Sequence, residues 1–133
     1  MISGIVGIAL GIQDESQFTT EAYKTSVWPA LFGLAVVIFA PLFEEAFFRG
    51  FLFAGLLQSR LGSTGTIALT ALSWAVLHIQ YDLYGIATIL VLGVVLGIVR
   101  LKMNTLWAPL ILHSFWNFLA FIITALYVTN IIS

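Results

Sequence analysis

"VWPALFGLAVVIFAPLFEEAFFRGFLFAGLL", residues 27–57, decides how the rest of this chain is read. The apolar run continues from Val27 to Leu61. That is roughly 35 residues, or about 50 Å as one straight α-helix, against a hydrocarbon core of about 30 Å. Pro41 stands in its middle, where proline removes an N–H and clashes with the turn before it. The stretch is either one long kinked helix or two shorter ones. Within it stand three charges, Glu44, Glu45 and Arg49, in surroundings where charge is costly.

The whole chain has the same character. Of its 133 residues 61% are hydrophobic and only 8% are charged, whereas a soluble domain carries about 25% charged residues. Such a composition cannot furnish a polar surface, so the bilayer is the expected surrounding. The net charge is −1 with no basic patch, which gives no footing for nucleic acid. The absence of cysteine excludes disulfides, thiolate metal sites and a Cys nucleophile.

Working outward, "MISGIVGIALGI" (1–12) lacks the basic start and cleavage site of a signal peptide and is too short to span. It reads as an interfacial segment or, preferably, the tail of a longer helix. "QDESQFTTEAYKTS" (13–26) reads as a polar linker, so residues 1–26 are set apart from a core at 27–133. After the polar turn "RLGSTG" (60–65), helices are expected at about Thr66–Ile79, Leu83–Val99 and Leu106–Val128. Pro109 falls in the first turn of the last, where proline is tolerated. The expected fold is an all-α, polytopic membrane helix bundle. If the first stretch crosses once, Arg60, Arg100 and Lys102 share one side, which the positive-inside rule assigns to the cytoplasm.

Six polar side chains stand out inside the apolar helices: Glu44, Glu45, Arg49, His78, His113 and Asn117. Glu45 and Arg49, four apart, can pair on one helical face and neutralise each other. Glu44 is rotated about 100° away and has no partner in its own helix. An unpartnered carboxyl in an apolar site holds its proton more tightly than one in water, and a general base works best when its affinity matches the ambient pH. Glu44 is therefore the candidate base, with Glu45 and Arg49 as its structural support. His113 and Asn117 share a face, and Trp74 lies four before His78. At 1.5 Å per residue Glu44 stands about 24 Å from Arg60, His78 about 18 Å from Thr66 and Asn117 about 16 Å from Leu106, so three helices can bring these groups into one layer. Each group alone has a plainer reading: a satisfied core histidine, a packing lock, an interhelical amide, or, for Trp74, Trp107 and Trp116, packing or interfacial aromatics. "GVVLG" (93–97) fits close helix packing. The combination favours chemistry.

"EEAFFR" (44–49), "WAVLH" (74–78) and "HSFWN" (113–117), in this order, resemble the CAAX prenyl endopeptidase and bacteriocin-processing family of intramembrane proteases. The resemblance covers about Pro41 to Phe121. It differs in Trp74, where the family usually has Phe, and the family usually has further membrane helices on either side. It implies about four to five transmembrane helices around a polar cavity, in which Glu44 activates water against a peptide carbonyl. His78, His113 and Asn117 would hold the water or a metal and stabilise the oxyanion, with Glu45 and Arg49 in support. The cofactor is none or Zn²⁺, the metal being held, if present, by His78, His113 and Glu44; the lack of a His-Glu-x-x-His helix favours direct action of the glutamate. The partners implied are the lipid bilayer and a peptide or protein substrate at the membrane, prenylated or of bacteriocin type. The expected place is the cytoplasmic membrane of a prokaryote. Two other readings stand beside the protease: a non-enzymatic immunity or scaffold protein that keeps the polar core, and a proton or ion pathway, ranked last because its polar groups form one layer.

Overall fold

The computed structural model describes residues 15–129. The reading of 1–12 lies outside them. The described residues form five helices: α1 (Glu15–Thr25), α2 (Pro29–Leu57), α3 (Gly62–Val76), α4 (Leu83–Met103) and α5 (Trp107–Val128). The chain is an all-α membrane bundle. Helices α2, α4 and α5, at 29, 21 and 22 residues, are long and apolar enough to cross a bilayer. Helix α3, at 15 residues, is shorter than the ~20 that a span requires. The outward faces carry bare Phe43, Phe51, Val91, Ile111 and Phe115, a surface that suits lipid rather than water.

The proline question has a definite answer. Helix α2 runs unbroken through Pro41, but it widens to a π-helical register at Ala35–Phe39 and again at Ala46–Leu52. The Ala40 amide bonds the Ala35 carbonyl, five residues back. Val36 O is then orphaned in both registers, because its α partner is that same Ala40 amide and its π partner would be Pro41, which has no N–H. Asn117 on α5 supplies the donor, Nδ2 to Val36 O at 3.0 Å. At the second widening the Phe53 amide is shared by Phe48 and Gly50. The Arg49 carbonyl, skipped by that amide, accepts from Arg100 Nε on α4 at 3.0 Å. Both widenings are thus held by side chains from other helices.

The stretch read as a polar linker is helix α1, which lies along α5. Its reason is tertiary. Phe18 meets Tyr81 edge-on with ring centroids 5.5 Å apart, and Tyr23 meets Phe121 at 5.7 Å. Helix α3 starts four residues earlier than expected, after Gly62 at φ 62° makes the turn. It ends at Val76, so His78 lies in the turn beyond it. Helix α4 starts on Asp82, whose carboxylate accepts from the Gly85 amide at 2.7 Å, and ends on left-handed Asn104. The close packing expected of "GVVLG" is present. A Cβ on Gly93 would lie 3.1 Å from Ala71 Cα, and one on Gly97 3.1 Å from Ile67, so α3 and α4 touch through glycine. Helix alternation brings the 58–61 and 104–106 connections to one end of the bundle.

Candidate active site

The site is built on the α-helical stretch of α2 between its two widenings, Ala40–Glu45. That stretch ends in the two adjacent glutamates, and they face different surroundings. Glu45 is fully buried, as is Arg49. Arg49 Nη1 donates to Glu45 Oε1 at 2.9 Å and Nη2 to the Gly93 carbonyl at 3.2 Å. The expected i, i+4 pair therefore forms, and it also ties α2 to α4. The Arg49 guanidinium lies 4.6 Å over the Trp74 ring, a cation–π contact that ties it to α3.

Glu45 Oε1 has a second partner, His113 Nδ1 on α5, at 2.8 Å. A carboxylate oxygen that already receives an arginine N–H accepts only, so Nδ1 carries the hydrogen. That fixes the ring and turns Nε2 toward Glu44, whose Oε2 is 3.9 Å away. This exceeds a hydrogen bond. Glu44 is partly open, with 23% of its side chain accessible, and its Oε2 accepts from Trp74 Nε1 at 2.6 Å. His78 Nδ1 stands 2.8 Å from the Trp74 carbonyl. A carbonyl only accepts, so this nitrogen too carries hydrogen and Nε2 is left free.

Glu44, Trp74, His78, His113 and Asn117 line one cavity of about 390 Å³, within the usual range for ligand sites. Its remaining wall is mostly apolar and includes Ile89, Leu92, Leu119 and Ile123. The four expected catalytic groups are thus brought together across three elements, and Glu45 and Arg49 lie behind them. Asn117 arrives with one N–H already committed to Val36 O; its second N–H remains. Reading the residues missed three things. Trp74 reads as packing from the sequence, yet a buried indole N–H usually has a partner, and Glu44 is the carboxyl without one. Tyr81, three residues after His78, also lines the cavity. Arg100, read as a mere helix end, reaches the Arg49 carbonyl.

The donors do not form a zinc site as they stand. Among the described residues no three His, Cys, Asp or Glu side chains converge on a point where a metal could be held.

The model of the type II CAAX prenyl endopeptidase Rce1-like family matches residues 26–119. The chain belongs to this family. The matched segment holds Glu44, Glu45, Arg49, Trp74, His78, His113 and Asn117. Membership in the Rce1-like family, with three apolar spanning helices, makes the chain an integral membrane protein of the CAAX-type intramembrane endopeptidase class. Comparisons with curated proteins and with solved structures return no match.

Proposed function

We propose that the chain hydrolyses a peptide bond of a membrane-associated substrate with a water activated by Glu44. The observation that carries this reading is the convergence of Glu44, His78, His113 and Asn117 on one half-open cavity whose other walls are apolar. A carboxylate beside a space for water, with N–H donors opposite, is what acyl transfer to water requires. In the proposed reaction a water between Glu44 and His113 Nε2 gives a proton to Glu44 as its oxygen attacks the carbonyl carbon. The carbonyl π electrons move to oxygen. The second N–H of Asn117 donates to that oxyanion, and His78, held through Nδ1, lines the same cavity. Its collapse breaks the C–N bond, and Glu44 returns the proton to the leaving amine. Glu45 holds His113 through Nδ1, and Arg49 balances the charge of Glu45.

The apolar wall suits a substrate with a hydrophobic part, prenylated or of bacteriocin type. The proposed setting is the cytoplasmic membrane of a prokaryote, with Arg60, Arg100 and Lys102 on the cytoplasmic side. The test is cleavage of a fluorogenic farnesylated CAAX peptide by the full chain in liposomes. Glu44→Gln is expected to lose cleavage while keeping its thermal midpoint. Cleavage by Glu44→Gln at the wild-type rate refutes the mechanism.

One observation supports a second reading, a non-enzymatic immunity or scaffold protein. Much of the polar layer is engaged in structural bonds: Asn117 to Val36, His113 to Glu45 and Arg49 to Gly93. On that reading Glu44→Gln keeps full protection in a bacteriocin challenge, and substitutions of the layer chiefly lower stability.

A further inference from the structure

The largest fully enclosed side chain near the site is Trp74, 2% exposed. Its surroundings do more than fill space. One face lies under the Arg49 guanidinium at 4.6 Å. The rings of His113 and His78 approach it edge-on, with centroids 5.0 and 5.2 Å away. Glycine at 93 lets the α4 backbone close on the indole, leaving only 3.1 Å between a would-be Cβ and Trp74 Cε3. The ring is therefore clamped on several sides and cannot swing its N–H.

That N–H is a donor only, and it meets Glu44 Oε2 at 2.6 Å. Among the described residues Trp74 is the sole hydrogen-bond donor to the Glu44 carboxylate; the approach of His113 Nε2, at 3.9 Å, is too long to be one. A glutamate carboxylate otherwise turns readily about its last torsion, which is broad and two-fold. With Oε2 held by a fixed indole, the two oxygens become unequal, one anchored and one without a protein donor among the described residues.

We propose that Trp74 is a positioning residue, which pins the Glu44 carboxylate by one oxygen and presents the other to the water. The inference rests on Glu44 as the base. Trp74 touches neither water nor substrate in this role; it acts through Glu44.

The test uses the full chain in nanodiscs and replaces Trp74 by 3-benzothienylalanine, which keeps the shape of the bicycle and removes only the N–H; Trp74→Phe is a second, simpler variant. With the farnesylated peptide, kcat is expected to fall about 10- to 100-fold, the loss that small misplacement of a reacting group produces. KM and the thermal midpoint stay unchanged. In the wild type labelled at the indole nitrogens, the Trp74 Nε1–H resonance, assigned with Trp74→Phe, lies downfield of those of Trp28 and Trp107 and moves upfield in Glu44→Leu. Wild-type kcat in the benzothienyl protein overturns the proposal. So does a fall in kcat that comes only with a lowered midpoint, and so does a Trp74 resonance indifferent to Glu44→Leu. If the wild type cleaves no peptide, the proteolytic reading falls, and the resonance still decides whether Trp74 pins Glu44.

Discussion

Replacing Arg49 by methionine keeps most of its volume and removes its charge. The structure gives the consequences contact by contact. Glu45, with no exposed surface, loses its partner at 2.9 Å, and a buried charge stripped of its partner costs about 3–5 kcal/mol. His113 Nδ1 remains as a donor to the same oxygen, which favours the low end, about 3 kcal/mol. The contact of the guanidinium with the Trp74 face is also lost, worth about 2 kcal/mol in a dry site, so Arg49→Met is expected to lose about 5 kcal/mol. Glu45→Gln, which strands the arginine instead, is expected to lose about 3 kcal/mol. In the double variant neither charge is stranded, and the loss is expected near 2 kcal/mol, mostly the aromatic contact. The assay is reversible unfolding of the full chain in mixed micelles of increasing SDS content, read as a double-mutant cycle. Single variants within 1 kcal/mol of wild type, or a double variant equal to the sum of the singles, would refute the reasoning.

The remaining expectations concern the frame around that pair. Asn117→Leu should lose about 1 kcal/mol in the same titration, in keeping with interhelical hydrogen bonds in membranes. In a Pro41→Ala background, where position 41 regains its own N–H, the cost of Asn117→Leu should fall to near zero; an undiminished cost there removes Asn117 from the Val36 carbonyl. Gly93→Leu should lower stability by 1 to 3 kcal/mol or more, as overpacking does, since even a Cβ would stand 3.1 Å from Ala71 Cα and Trp74 Cε3. An unaltered unfolding curve for Gly93→Leu would disprove the close approach of α3 and α4. Glu44→Ala should stop peptide cleavage and cost about 1–3 kcal/mol in the unfolding titration, the penalty for leaving the buried Trp74 N–H without its acceptor.

Much of this was legible in the residues because charge in an apolar helix has few explanations. The Glu45–Arg49 pair follows from a spacing of four, and the grouping of Glu44, His78, His113 and Asn117 from their similar distances to the helix ends. What was not legible depends on distant partners. Whether Pro41 breaks α2 turns on the donor to Val36 O, Asn117, 81 residues along the chain from that carbonyl. Whether residues 15–25 are linker or helix turns on Tyr81 and Phe121, against which Phe18 and Tyr23 rest. The Trp74 bond joins residues 30 apart in sequence, and aromatic spacing alone does not tell a donor from a packing ring. The end of α3 before His78 falls inside a run of helix-forming residues, with no proline or glycine to announce it.

The two widenings of α2 have a consequence for how this helix can be altered. Each holds more residues than the α-helical path would need, and one extra residue offsets everything beyond it by about 100°. Helix α2 is therefore three short rods on one axis with two jumps of phase between them. The middle rod, Ala40–Glu45, carries both glutamates, and its azimuth is held by two grips from outside, Asn117 below Pro41 and Arg100 beyond Arg49. Making Ala35–Phe39 a regular helix with all its residues kept would turn Phe43, instead of Glu44, toward the cavity, whereas deleting one residue there would leave Glu44 in place. The orientation of the proposed base is thus a property of residue count as much as of residue identity.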